Sequence, residues 1–287
     1  MSGKTLPYYR DCPSVRYDGV RVHYEVRGEG EPPLVLLHGL GMTNFTWSRN
    51  VAALARTRRV IVVEHMAMGD RTGLLRHGYG LENLAGAVLE VMNALGVERA
   101  DVCGVSLGGA LALFLAVAHH RRVRRLVLIG PAAYPVRWPV GLGLARVPIL
   151  GEIGSLLMPA RLFGLAVVAN CFARPAQAPP GFAREFAEVY RSLAGRVAML
   201  RTVRALPPFD VRSIVEGYHH VEAPALILWG KHDALLTPRV PRQLVRDLPN
   251  AKLVILREGA HAPHMELPDL VNPLIIDWLD RAEGDTR

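Results

Sequence analysis

The stretch Val102-Cys103-Gly104-Val105-Ser106-Leu107-Gly108-Gly109 constrains the fold more than any other part of the chain. A short β-favouring run leads through glycine to one serine, and two further glycines open into the apolar, helix-forming residues 110–118. That pattern describes a strand that turns abruptly into a helix. The tip of such a turn sits in sparsely allowed dihedrals, and side chains two positions to either side would collide with the reversing backbone. Gly104 and Gly108 remove those collisions. Ser106 then projects from the carboxyl end of the strand, beside the first NH groups and the positive dipole end of the new helix, where a hydroxyl can act as a nucleophile. A Gly-x-Ser-x-Gly pentad is also a common loop composition, so the chemistry depends on what partners the rest of the chain supplies.

The flanking sequence repeats the strand-then-helix theme. Residues 15–26 alternate apolar and polar side chains about Asp18-Gly19, which predicts an antiparallel hairpin with a two-residue turn. Leu34–Leu37 and Val60–Val63 are continuous apolar runs, as expected of strands covered on both faces. Residues 47–55 are expected to be helical, and Leu84, Val88, Val91, Met92 and Leu95 share one helical face that Gly96 ends. Further strands are predicted at Val123–Ile129, 225–229 and 252–256, with helices over 238–248 and up to about residue 282. Strands alternating with helices imply a mostly parallel, doubly wound α/β sheet with helices on both faces. Between 131 and 210 prolines recur, apolar segments such as 162–173 have helical length, and no strand is predicted. The expected organisation is therefore a core of residues 1–130 and 211–287 with a helical insertion over 131–210.

Composition narrows the class. Half of the 287 residues are hydrophobic and 21% are charged, a globular profile with room for one large core. Residues 1–13 have no apolar core or small-residue cleavage site, so no secretory signal is expected, and no membrane span is expected either. Cys12, Cys103 and Cys171 are odd in number, far apart and fit no metal spacing, which points to structural cysteines in a reducing, cytoplasmic setting. The formal charge of +8 comes almost wholly from arginine, since lysine occurs only at 4, 231 and 252. Basic clusters such as Arg121-Arg122 and Arg124-Arg125 fit a solvated surface, with attraction to anionic substrates or lipid headgroups as the alternatives. No nucleic-acid motif accompanies them.

In open parallel sheets reactive groups collect at the carboxyl ends of strands. Asp233 follows the strand at 225–229, in Gly230-Lys231-His232-Asp233, and His261 follows the strand at 252–256, in Glu258-Gly259-Ala260-His261. The order Ser106, Asp233, His261 is the one associated with a strand-turn-helix serine. Imidazole has a basicity near working pH, so His261 is expected to take the Ser106 proton and return it to the leaving group. Asp233 is expected to hold the ring in the correct tautomer. The NH of Leu107 and the NH of Leu40, in the glycine-flanked His38-Gly39-Leu40-Gly41, are the candidate oxyanion donors. His264, His119-His120 and His219-His220 find no ligand set around them; no metal and no cofactor are expected.

With these motifs in place, the chain resembles the α/β-hydrolase superfamily over nearly its whole length apart from the insertion. His38 to Gly41 is similar to that family's oxyanion loop, Gly104 to Gly108 to its nucleophile elbow and Gly230 to Asp233 to its acid turn; Gly259 to Pro268, with Glu266-Leu267-Pro268, resembles the segment around its catalytic histidine. The resemblance implies that Ser106, Asp233 and His261 form the triad and that 131–210 caps the active site. Serine at 106 argues against the epoxide-hydrolase and dehalogenase branches, which use aspartate there. One segment departs from the pattern: Glu64-His65-Met66-Ala67-Met68-Gly69-Asp70-Arg71 keeps a single glycine of the family's usual set. Its Met66 and Met68, with Gly39, are the expected substrate contacts, the Met, His and Arg side chains of the loop reshaping the pocket or meeting the cap.

These readings converge on a carboxylesterase of apolar small-molecule substrates, working through an acyl-enzyme on Ser106, with cap residues 140–172 lining a greasy pocket. The same triad would serve thioesters, lactones, carbon–carbon bond hydrolysis or acyl transfer. A lyase without a covalent intermediate and a non-catalytic ligand receptor also remain open.

Overall fold

The computed structural model describes residues 12–65, 74–135, 140–205 and 214–281; side chains are described from residue 143 within the third of these. Eight strands form one sheet in the order β1-β2-β4-β3-β5-β6-β7-β8. The hairpin is β1 (Ser14–Tyr17) with β2 (Val20–Arg27), and its turn residues Asp18 and Gly19 both take positive φ, at 48° and 85°. β2 then runs antiparallel to β4 (Val60–Val63). From there on every pairing is parallel, through β3 (Leu34–Leu37), β5 (Ala100–Val105), β6 (Val123–Ile129), β7 (Ala225–Gly230) and β8 (Ala251–Leu256). This is the α/β-hydrolase architecture expected from the sequence.

The twofold period of the strands sorts their side chains between two cores. Val35, Leu37, Ile61 and Val63 point to the face covered by α2 (Leu81–Ala94) and α3 (Leu107–Ala118). Leu34, Leu36, Val60 and Val62 point to the opposite face, against Trp47, Leu54 and the closing helix Pro268–Asp280 through Val271, Ile275 and Trp278. Because both faces are covered, the apolar runs are continuous rather than alternating.

The helix expected over 47–55 is instead two short pieces, a 3-10 turn at Asn44–Trp47 and a single turn, α1, at Val51–Leu54. The Thr43 hydroxyl accepts from the Phe45 NH and starts the first piece early, and the buried Asn50 side chain donates to the His264 carbonyl and to Asn272 rather than facing solvent from a continuous helix. Between β6 and β7 the described chain is helical: α4 (Val140–Ala145), α5 (Leu150–Leu157), α6 (Ala160–Cys171), α7 (Phe182–Arg191) and α8 (Leu193–Ala205). Among the described residues no single helix is long and apolar enough to cross a membrane.

Candidate active site

Ser106 stands between β5 and α3 with φ 54° and ψ −114°, one of three non-glycine residues with positive φ among those described. Its backbone is pinned on both sides. The NH donates to the Ile129 carbonyl at 3.0 Å, and the carbonyl accepts from Ala110 and from Ala132. The turn is so tight that a Cβ on Gly104 would lie 2.1 Å from the Gly108 carbonyl oxygen, and one on Gly108 would lie 2.2 Å from that of Leu37. Only glycine fits either place. β3 supplies that second neighbour because Leu37 pairs with Gly104 across the sheet, which also brings the loop that follows β3 against the serine. A Cβ on Gly39 would come within 3.3 Å of the Ser106 Cβ.

His261 and Asp233 meet across the carboxyl ends of β7 and β8. The His261 Nδ1 donates to Asp233 Oδ2 at 2.8 Å, with both side chains almost wholly buried. The other carboxylate oxygen accepts from the NH groups of Leu235 and Leu236, at 2.9 and 3.0 Å. With Nδ1 engaged, Nε2 is the ring nitrogen left for the cavity, which His261 and Ser106 both line. No direct hydrogen bond joins the hydroxyl to the imidazole among the described residues; both groups line the same cavity. Four further hydrogen bonds hold the histidine loop. Glu266 takes the Ala260 NH on Oε2 at 2.8 Å and the NH groups of Ala173 and Arg174 on Oε1, and the Ala262 NH donates to the Cys171 carbonyl. The histidine loop is thereby tied to the end of α6.

Leu40 and Leu107 both line the cavity beside Ser106, and neither NH finds a backbone acceptor among the described residues. The loop that presents Leu40 is braced from below. His38 is fully buried, its Nδ1 donating to the Gly39 carbonyl at 2.9 Å and its Nε2 lying 3.6 Å from Glu64 Oε1. The His65 ring stacks on it at 4.1 Å. Burial first, and the neighbouring His38 second, hold the His65 pKa well below the ordinary imidazole value, so this ring is neutral.

The cavity above Ser106 has a volume of about 760 Å³. Its wall is formed by Met42, by side chains of α4 to α8 such as Leu150, Phe163, Tyr190 and Met199, and by Leu235 and Leu236 after β7. Among the described lining residues none is Asp, Glu, Lys or Arg. Its other polar side chains are already engaged within the protein: Tyr190 donates to Ser155, Tyr134 to Asp247 and Asn170 to the Ala166 carbonyl. Among the described residues, the Ser106 hydroxyl and the His261 ring are therefore the polar side-chain groups left to the cavity.

Residues 34–274 match the model of the alpha/beta hydrolase family. The chain belongs to that family. A 2-hydroxy-6-oxononadienedioate/2-hydroxy-6-oxononatrienedioate hydrolase from Paraburkholderia phymatum is 29% identical over 275 residues, covering 91% of this chain and 91% of the relative. The dihydrolipoyllysine-residue acetyltransferase component of the acetoin cleaving system from Pseudomonas putida is 31% identical over 263 residues, covering 89% of this chain and 65% of that relative. Among solved structures, the enol-lactonase from Burkholderia xenovorans LB400 superposes with a TM-score of 0.78 at 26% identity, covering 94% of this chain and 100% of that one. The hydrolases among these share the fold over nearly their full length, and this chain is a hydrolase of the same family.

The alpha/beta hydrolase core thus brings together Ser106, Asp233, His261, Leu40 and Leu107, and sets Gly39 directly behind the serine. Met66 and Met68 lie outside the described residues. His65 is not among the described lining residues; its ring is buried against His38, in the loop that carries Leu40. His264 is a packing residue as expected, its Nε2 3.0 Å from the Thr46 hydroxyl and its ring against Trp47. Sequence reasoning missed Met42, Phe186, Tyr190 and Met199 on the wall. For α7 a signal was present, since Phe182, Phe186, Val189 and Tyr190 recur at the spacing of one helical face.

Proposed function

We propose that the protein is a carboxylesterase of neutral, apolar substrates, acting through an acyl-enzyme on Ser106. The observation that carries this reading is an imidazole locked to a buried carboxylate and a strained serine, both facing one cavity without charged lining residues among those described. In this account His261 Nε2 removes the Ser106 proton as Oγ bonds to the acyl carbon. The carbonyl oxygen becomes an oxyanion between the NH groups of Leu40 and Leu107. His261 then delivers its proton to the departing alkoxide, and water, deprotonated by the same ring, releases the acid and restores Ser106. Asp233 stabilises the imidazolium in both halves. Helices within 131–210 act as the cap that supplies the apolar wall and excludes water.

The lining also discriminates among acyl substrates. The Paraburkholderia phymatum relative is named for a dienedioate, a dianion, and the described lining residues, with no arginine or lysine among them, offer such a substrate no counter-charge. The enol-lactonase named among the solved structures acts on an internal ester, which supports the acyl–oxygen bond as the one broken. Cys103 and Cys171 are buried thiols outside any disulfide, in keeping with a cytoplasmic setting. The test is a series of p-nitrophenyl esters from acetate to dodecanoate. Specificity (kcat/KM) is expected to rise with acyl length to a medium chain, and Ser106→Ala to lower it by roughly 10⁴-fold or more. Fastest turnover on acetate, or activity retained by Ser106→Ala, would remove the reading.

A further inference from the structure

The helix α5 is amphipathic the wrong way round for a water-soluble surface. Its sequence Leu150-Gly151-Glu152-Ile153-Gly154-Ser155-Leu156-Leu157 buries only Gly151 and Ser155, and turns its large apolar side chains outward. The orientation is fixed by the buried side. A Cβ on Gly151 would lie 2.3 Å from the Ala145 carbonyl oxygen, so only the glycine edge can approach α4 this closely. One turn on, Ser155 accepts a hydrogen bond from the Tyr190 hydroxyl at 3.0 Å, and the Arg196 guanidinium holds the Ser155 and Met158 carbonyls. Rotating α5 to hide its leucines would break each of these contacts. Ile149, Leu156 and Leu157 are 70%, 61% and 76% exposed as a result, and Val147, Leu150, Ile153 and Met158 are exposed with them. On α6 the outward side chains include Leu162 and Leu165. An apolar patch of this kind marks an interaction site.

Two observations choose its occupant. Leu144, Leu150, Ile153 and Met158 belong both to the exposed patch and to the lining of the cavity above Ser106, so the cavity reaches the surface through this patch. A second copy of the chain seated here would stopper it. The second observation is charge. Between residues 140 and 205 stand eight arginines and three glutamates, with no lysine or aspartate, which gives this segment most of the chain's net +8. Arg146 and Arg161 flank the crest in sequence, and Arg196 and Arg204 contact α5 itself. Two such faces would repel each other across a symmetric dimer, whereas an anionic lipid surface complements them.

We infer that α5 and the start of α6 form a membrane-docking crest, which sets its apolar side chains into the interface of an anionic bilayer and opens the cavity of the enzyme towards the lipid. The two helices bend by 98° between Leu157 and Ala160, so they form no single straight span, and the crest is assigned to the interface. Docking itself is independent of the esterase reading; only the delivery of apolar substrate from the bilayer rests on it.

The experiment is flotation of the purified full chain with vesicles of phosphatidylcholine containing phosphatidylglycerol, and with phosphatidylcholine alone. The protein is expected to float with the anionic vesicles, less at high salt. The double variant Leu156→Ser, Leu157→Ser, at positions outside the cavity lining, is expected to lose about tenfold or more in partition while hydrolysing a soluble short ester as before. Ser106→Ala is expected to float like the parent, so that a failed nucleophile assignment and a failed docking surface give different results. Wild-type protein that stays with the solution, or a double variant that floats undiminished, would overturn the inference. So would light scattering that shows a dimer dissolved by the same two substitutions, which would assign the face to a second copy.

Discussion

At the scale of single residues, Asp233 shows how the candidate site is held. Its two oxygens divide the work, one accepting from two backbone NH groups and the other from the imidazole. Asp233→Asn keeps the volume and the turn, yet presents an NH₂ or a neutral oxygen where His261 Nδ1 now donates. The ring then loses its orienting charge and its preferred tautomer. The expected result is a fall in kcat of about 10³- to 10⁴-fold with little change in KM, measured on a medium-chain p-nitrophenyl ester. A loss below tenfold would mean that the carboxylate serves the turn rather than the ring. Gly130 lies beside the pair at φ 46°: a Cβ added there would stand at ordinary contact distance, 3.4 Å from Asp233 Oδ2 and 3.5 Å from His261 Nδ1, so it is the left-handed backbone that calls for glycine. Nothing larger than hydrogen can take that place without strain.

Among elements, the connection between β8 and the closing helix is placed by a side chain that touches no reacting atom. Glu266 sits in the short helix Pro263–Glu266 and gathers three backbone NH groups from two separate segments, that of Ala260 beside the histidine and those of Ala173 and Arg174 after α6. It is a positioning residue. Glu266→Gln exchanges one carboxylate oxygen for a donor that faces an NH group, so the histidine loop should shift away from α6. We expect kcat to fall about 10- to 100-fold with KM nearly unchanged, while the melting temperature drops by only a few degrees. Equal falls in kcat and in stability would reduce Glu266 to a structural tie. The Glu266-Leu267-Pro268 motif was visible in the sequence, but its partners lie more than ninety residues upstream, as hydrogen-bond separations of 92 and 93 show, and no local pattern could have paired them.

At the scale of the whole molecule, the strands were legible because their burial pattern is written in consecutive residues: Leu34–Leu37 and Val60–Val63 are apolar throughout, and other elements pack over both faces of the sheet they lie in. The elbow was legible because its glycines are sterically required. The wall of the cavity was not, since Met42, Phe186 and Met199 come from three distant elements and converge only once α7 and α8 pack over the sheet. The segment 47–55 was misread because its helical pattern is interrupted by side-chain bonds to residues more than two hundred positions away. Those same long-range contacts bury His264, whose pKa burial pushes down to about 3, His261 adding to the effect. A histidine with a folded pKa below its ordinary 6.5 contributes stability that is present above 6.5 and is lost as pH falls towards 3. The buried His65 acts in the same direction. The melting temperature should therefore decline steadily on acidification below about pH 6.5, and the decline should be shallower in His264→Gln relative to that variant's own neutral value. Identical slopes for the two proteins would assign the acid sensitivity to other groups.

The nucleophile is tested most directly by trapping the acyl-enzyme. Cleavage after Arg99 and Arg121 gives a peptide in which Ser106 is the single serine and Cys103 the single thiol. After brief acid quenching with a p-nitrophenyl octanoate substrate, mass spectrometry should find one octanoyl group on this peptide, fragmentation should place it on Ser106, and Ser106→Ala should carry none. An acyl group on Cys103 or on another peptide, or steady turnover with no covalent species at all, would contradict the account.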